Sequence, residues 1–334
     1  MFKNKLFKIL ILFMRIMPPE ISSSLSLNSI KFLIKVNKNL FKVKISSNFK
    51  KISYKNLEFK HCLGLAAGID KKGEYFDALS SVGFSFIEVG TFTPSAQKGN
   101  NFPRIKRIRE EFSLINRLGF NNPGISKGVE NIAKNKPNFS GILGISIGKN
   151  KDTPIEDAFK DYLYCLERCF HVADYIAVNI SSPNTADLRK LTSEDYIENL
   201  TKELTIHSNI LQKKHKKDLP IFLKLSPDEE ESNIEKIIST SLSNGISGFI
   251  VSNTTIGEYK NISGGISGKL LKIKSLEMLK KVKNILGNES FVISSGGIFD
   301  KTDLQERLDN GAKLAQIYTS FIYEGPKVVE ELLN

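Results

Sequence analysis

Cysteine is scarce. Three thiols in 334 residues exclude a disulfide framework and suit a reducing compartment. Histidine is nearly as thin at four residues. The one Cys/His cluster, Cys165, Cys169 and His171, has too few ligands for a closed zinc site, so no metal is expected. No run of 18 apolar residues is present, which argues against a membrane-spanning helix. A GxGxxG fingerprint is missing, which disfavours a nicotinamide-binding Rossmann domain. The one P-loop-like stretch, Gly264-Gly265-Ile266-Ser267-Gly268-Lys269, fails. Ser263 stands where the first Gly belongs, and Leu270 where Ser or Thr would hold Mg2+.

Acidic residues are missing from one region in particular. Residues 1–60 hold only Glu20 and Glu58 against twelve lysines and Arg15, so nearly all of the net +12 sits there and the remainder is close to neutral. A nucleic-acid enzyme would spread positive charge over its working face, so no nucleic-acid partner is expected. A basic head on a neutral body is the pattern of a protein that rests on an anionic membrane surface. Within the head, Leu6, Phe7, residues 9–14, Ile16 and Met17 form an apolar run interrupted by Lys8 and Arg15, and Pro18-Pro19 break any helix. Leu27, Ile30, Leu33 and Ile34 follow at helical spacing with Lys31, Lys35 and Lys38 between them. The pattern predicts two short amphipathic helices, lying in a bilayer interface or packed on the protein's own body. A cleaved secretory signal is disfavoured because no small-residue cleavage site follows.

With 40% hydrophobic and 25% charged residues the chain can bury a core. Eight short apolar runs, at 62–67, 86–89, 142–147, 175–180, 221–225, 249–251, 291–293 and 314–317, end in or carry Gly, Asn, Ser, Thr or Lys. Most precede a helix-like segment such as 75–82, 157–170 or 234–242. Strands covered on both faces read as continuous apolar runs. Eight β-α units therefore predict an α/β fold: a (β/α)8 TIM barrel over residues 46–334, with an N-terminal two-helix membrane-associating extension over 1–45. Chemistry in such a barrel gathers at the carboxyl ends of the strands. Phosphate commonly binds after the seventh and eighth, here at Gly296-Gly297 and Tyr318-Thr319. Glycine lets backbone N–H groups approach phosphate oxygens, and a Thr hydroxyl adds a donor.

The motifs at these strand ends resemble, in order, those of the dihydroorotate dehydrogenases. They are Gly64-Leu65-Ala66-Ala67-Gly68-Ile69-Asp70-Lys71, Glu88-Val89-Gly90-Thr91-Phe92-Thr93-Pro94 and Ile115-Asn116-Arg117-Leu118-Gly119-Phe120-Asn121-Asn122. The segment Asn179-Ile180-Ser181-Ser182-Pro183-Asn184-Thr185 is similar to that family's catalytic loop. Lys224-Leu225-Ser226-Pro227-Asp228, Ser252-Asn253-Thr254-Thr255, Gly264-Gly265-Ile266-Ser267-Gly268 and Gln316-Ile317-Tyr318-Thr319 follow in the family's order. Soluble class 1 members carry Cys at the base position, whereas membrane-associated class 2 members carry Ser and an amino-terminal extension. Ser182 and the basic head both fit class 2.

The resemblance implies oxidation of dihydroorotate to orotate in de novo pyrimidine (UMP) biosynthesis. FMN would accept the hydride and a membrane quinone would be the terminal acceptor, with the protein peripheral on the cytoplasmic face of the inner membrane. Ser182 is then the catalytic base, a poor one unless its surroundings activate it, with Thr185 relaying the proton and Phe120 shielding the relay. Asn116, Asn179, Asn184 and Asn253 surround the substrate, because a carboxamide offers a donor and an acceptor to a ring rich in amides. Thr254 and Lys71 join them, beside Arg117, Leu118, Gly119 and Phe120. The FMN site takes Ala67, Gly68, Ile69, Asp70, Lys71 and Thr91 from the first two units, and Ser146, Asn179 and Lys224 from the middle ones. Ser252, Gly268, Gly297, Tyr318 and Thr319 complete it. Lys224 would face the N1–O2 edge, where negative charge grows on reduction. Ser146 is a departure, since the family usually has a flavin-contacting Asn there. Three other readings remain: a soluble class 1-type enzyme using a small acceptor such as fumarate, an FMN-dependent tRNA dihydrouridine synthase, and a non-catalytic membrane-peripheral barrel. The near-neutral body argues against the second. The oligomeric state stays open, a monomer included.

Overall fold

The computed structural model describes residues 16–37, 40, 41, 43, 45, 49–184, 188–287 and 290–334. A hairpin of β1 (Ile52–Tyr54) and β2 (Leu57–Phe59) precedes β3 (Leu63–Leu65) and β4 (Phe86–Phe92). A second hairpin, β5 (Ile105–Ile108) and β6 (Ser113–Asn116), leads to β7 (Ile142–Ile147), β8 (Tyr175–Asn179), β9 (Ile221–Leu225) and β10 (Gly248–Val251). A third, β11 (Thr255–Tyr259) and β12 (Ile262–Gly268), is followed by β13 (Phe291–Ser295) and β14 (Leu314–Ile317). Eight of these close into a parallel barrel in the order β3-β4-β7-β8-β9-β10-β13-β14. They are the eight runs expected from the sequence. Helices such as Ala158–Cys169, Glu231–Ser243 and Lys272–Leu286 surround them. β8, β9 and β13 are buried at every position, as strands between a filled interior and an outer helical layer must be.

Aromatic rings close the lower end of the barrel. Phe86, Tyr175, Phe222 and Phe291 project from the starts of their strands, with Tyr175 packed edge-on against Phe222 at 5.4 Å. The Tyr175 ring needs a strand without a side chain opposite it: a Cβ at Gly144 would lie 2.1 Å from its Cζ. The β1–β2 hairpin plugs the floor from below, where Tyr54 stacks on Phe291 at 4.2 Å and Phe59 meets Phe86 at 5.4 Å. Over the upper rim lies an antiparallel sheet ordered β11-β12-β6-β5, which the pattern of apolar runs does not reveal. Its register pairs Gly265 with Asn116.

Before the barrel, helix α1 (Pro19–Val36) starts immediately after Pro18, where a fixed φ is tolerated. Leu27, Ile30, Leu33 and Ile34 pack against the main core. Glu20 pairs with Arg104 at 2.8 Å, and Tyr75 donates to Asn28 at 2.9 Å. Ile21, Leu25, Phe32 and Val36 are exposed. At helical geometry they fall within about 60° of one another, so one apolar stripe faces away from the body. This second helix of the expected pair therefore packs on the body with one face and leaves another bare. The first helix of the pair falls mainly on residues 1–15, outside the described residues. Among the described residues no helix is long and apolar enough to cross a membrane.

Candidate functional site

The plugged floor leaves the barrel open at the carboxyl ends of its strands, and a cavity sits there. Ser182, on the loop after β8, lines it and is buried. The Asn184 backbone N–H reaches the Ser182 hydroxyl at 3.4 Å. Four carboxamides from different parts of the chain meet around this serine. Asn184 Nδ2 donates to Asn116 Oδ1 at 3.0 Å, and Asn116 is held in turn by the Gly265 carbonyl across the β6–β12 register at 3.1 Å. Asn253 Nδ2 donates to Asn179 Oδ1 at 3.2 Å, and Asn179 Nδ2 to Thr91 Oγ1 at 3.1 Å. Leu118, Gly119, Phe120 and Thr254 also border the cavity. Thr185 lies outside the described residues.

Most residues expected to hold the cofactor line the same space. Ala67, Gly68, Lys71 and Thr91 enter from β3 and β4, and Lys224 and Ser252 from β9 and β10. Gly268, Gly297, Tyr318 and Thr319 form the far wall. Four expected residues do not border the cavity. Gly68 has φ 103° and turns the chain, so Ile69 lines a neighbouring cavity instead. The buried Asp70 carboxylate accepts from the backbone of Lys72, Glu74, Tyr75 and Phe76 at 2.7–3.3 Å and so shapes the turn. Arg117 points outward, with Nε on the Pro103 carbonyl at 3.1 Å. Ser146 is fully buried, and its hydroxyl pairs with Thr91 Oγ1 at 2.9 Å.

A polar cluster below the cavity was not singled out from the sequence. Glu88 is fully buried in the barrel interior, where Gln316 Nε2 and Tyr175 Oη donate to its Oε2 at 2.8 and 3.1 Å. Its Oε1 lies 3.8 Å from the Lys224 ammonium, which is itself buried. Glu88 and Gln316 both stand within motifs quoted above. A carboxylate amid a buried strand is the signal that could have found the pair.

Comparison with known proteins decides what this site belongs to. The family described as "Dihydroorotate dehydrogenase" matches residues 49–334. A protein of Vibrio atlanticus named "Dihydroorotate dehydrogenase (quinone)" is 43% identical over 285 residues, covering 83% of this chain and 84% of that one. One of the same name from Yersinia enterocolitica is 42% identical over 301 residues, covering 88% and 89%. The chain belongs to the dihydroorotate dehydrogenase family. Among solved structures, a dihydroorotate dehydrogenase of Eimeria tenella in complex with ferulenol superposes with a TM-score of 0.83 at 30% identity, over 92% of this chain and 89% of that one.

A dihydroorotate dehydrogenase works with a flavin, and the upper barrel of this family member fits one. Ser320 Oγ and Gln316 Oε1 are buried beside the cavity, with no hydrogen-bond partner among the described residues. At Gly297 a Cβ would sit 2.3 Å from Lys272 Cα, so the backbone stays bare on a wall suited to phosphate. Arg307 Nη2 steadies that wall through the Gly296 carbonyl at 3.1 Å and the Lys272 carbonyl at 2.8 Å. Burial pushes the Tyr318 phenol up to about 12, so it stays neutral.

A second cavity, of about 520 Å³, lies between α1 and the barrel. Leu27, Ile30 and Leu33 face it from the helix, and Phe321 and Ile322 from the barrel side, with Arg107 at its border. Lys71, Asn121 and Tyr318 border both cavities. Burial pushes the Lys71 ammonium down to about 8, against the upward pull of Glu20 and Asp70.

Proposed function

We propose that the protein oxidises dihydroorotate to orotate and passes the two electrons through FMN to a quinone, as a step of de novo pyrimidine synthesis. The observation that supports this most directly is convergence: Ser182, four asparagines and two glycine-bearing strand ends meet at one cavity, which shares a wall with an apolar one. Bound in the first cavity, FMN supplies a two-electron acceptor for the hydride leaving C6 of the substrate.

The remaining work falls to side chains. The asparagines pair with the amide edges of the pyrimidine ring and hold it flat. A buried site built this way rejects analogues that leave those groups unpaired. Lys71 supplies a positive charge for the substrate carboxylate. Ser182 Oγ takes the proton from C5 while its own hydroxyl proton passes on through Thr185. Phe120 keeps bulk water from that relay. Lys224 places its charge at the flavin's pyrimidine edge, where electron density rises on reduction. The apolar second cavity suits a lipid-soluble acceptor. The basic extension over residues 1–45 and the bare stripe of α1 hold the protein peripherally on the inner membrane, at its cytoplasmic face.

The test is an anaerobic visible spectrum. The purified protein should be yellow, and adding dihydroorotate should bleach it. Ser182→Ala should keep its yellow colour and bleach at least a hundredfold more slowly, the lower range for loss of a general base. Colourless protein, or bleaching of the variant at the parent rate, would overturn the reading.

A further inference from the structure

Asp228 ends one of the signature motifs, yet it does not line the cavity. Its carboxylate instead collects four donors from three parts of the chain. Oδ2 accepts from Arg189 Nη2 at 3.0 Å and from the Ile256 backbone N–H at 2.8 Å. Oδ1 accepts from Lys274 Nζ at 2.5 Å and from the Thr255 hydroxyl. The side chain of Asp228 is 13% exposed and that of Arg189 23%, so the pair is partly shielded from water, unlike a surface ion pair.

The position of this hub in the fold gives it meaning. The end of β9 and the stretch that leaves it hold the chain on both sides of Ser182. Upstream, the Ser181 hydroxyl donates to the Lys224 carbonyl at 2.6 Å. Downstream, Arg189 reaches Asp228, and the Thr192 hydroxyl donates to Glu229 at 3.0 Å. On its other side Asp228 holds Thr255 and Ile256, which directly follow the cavity-lining Asn253 and Thr254.

We propose that Asp228 is a positioning residue for substrate oxidation: by holding Arg189 and the start of β11 on one carboxylate, it fixes the segment bearing Ser182 against the strand end bearing Asn253 and Thr254. The inference rests on Ser182 acting as the base. Burial pushes the Asp228 carboxyl up, but hydrogen bonds from Lys274, Thr255 and the Ile256 amide, with the Lys274 charge, hold it below the usual carboxylate range. It is therefore ionised near neutral pH and can accept from all four donors. An amide in its place would turn an N–H group toward Lys274, or toward Arg189 and the Ile256 N–H, none of which can accept.

The test compares Asp228→Asn, Arg189→Gln and Ser182→Ala as flavin-loaded protein. Asp228→Asn should reduce its flavin about tenfold more slowly, since small misplacements of a reacting group cost that much or more. Its isotope effect for dihydroorotate deuterated at C5 should grow, because proton removal is the impaired step. Amide exchange in residues 188–192 should quicken while the barrel strands stay protected. Arg189→Gln should slow reduction in the same direction, and the double variant should be no slower than Asp228→Asn alone. Parent-like reduction in either single variant, an unchanged isotope effect, or exchange that quickens throughout the protein would overturn the inference. Normal reduction in Ser182→Ala would instead overturn the underlying assignment of the base.

Discussion

Lys71 lies where the substrate-side and helix-side cavities adjoin, and its burial has a measurable consequence. Burial favours the neutral amine, so the ammonium is present below a pH of about 8 and lost above it. An anionic ligand beside it benefits only from the charged form. Orotate binding, read from the shift it causes in the flavin spectrum, should therefore weaken as pH rises past about 8. The slope should approach tenfold per pH unit, and Lys71→Met should abolish it. A flat profile in the parent protein would remove Lys71 from the substrate's charge environment. At this same scale the sequence was legible only through the company residues keep. Ser182 and each asparagine read in isolation as turn residues, and the run of motifs in family order was needed to single them out. Membership of a motif does not by itself put a side chain on the cavity wall. Ile69 and Asp70 sit inside a motif, but the bend at Gly68 sends one to a different cavity and the other into a turn. Asp228 was unreadable as a hub because its partners stand at 189, 255, 256 and 274.

Among the elements, the eight barrel strands were visible because burial on both faces demands unbroken apolar runs. The rim sheet was not. β11 has only its first residue buried, with an exposed Ile256, and β12 holds three glycines in seven residues, which reads as a turn. The strands of the floor hairpin have three residues each, too few for a period to show. Helix α1 showed its body-facing residues in the sequence, but not that Ile21, Leu25, Phe32 and Val36 form a second stripe. That stripe carries a prediction of its own. Phe32→Asp places a charge on the face directed away from the core, so the fold and the bleaching by dihydroorotate should be unaffected. Binding to anionic phospholipid vesicles, measured by co-sedimentation, should fall about tenfold or more, as loss of one large buried apolar group implies. Undiminished sedimentation would mean that the stripe does not touch the bilayer.

Across the whole molecule, charge and chemistry are kept apart. The net positive charge gathers in the first 60 positions, while the near-neutral chain after them carries the closed barrel and the cavity above it. This division was legible from charge counting alone, because net charge survives any uncertainty about which element a residue occupies. The joint between the parts was not, since it depends on single contacts such as Glu20 with Arg104 and Tyr75 with Asn28.

Two chambers that touch only along a partition allow each reactant to arrive and depart without waiting for the other. Turnover should then follow a ping-pong course, giving parallel lines in double-reciprocal plots at several quinone concentrations. An inhibitor shaped like orotate and one shaped like a quinone should be seated at once, so that neither displaces the other in a competition titration. Intersecting lines, or mutual exclusion of the two inhibitors, would show that traffic through one doorway blocks the other.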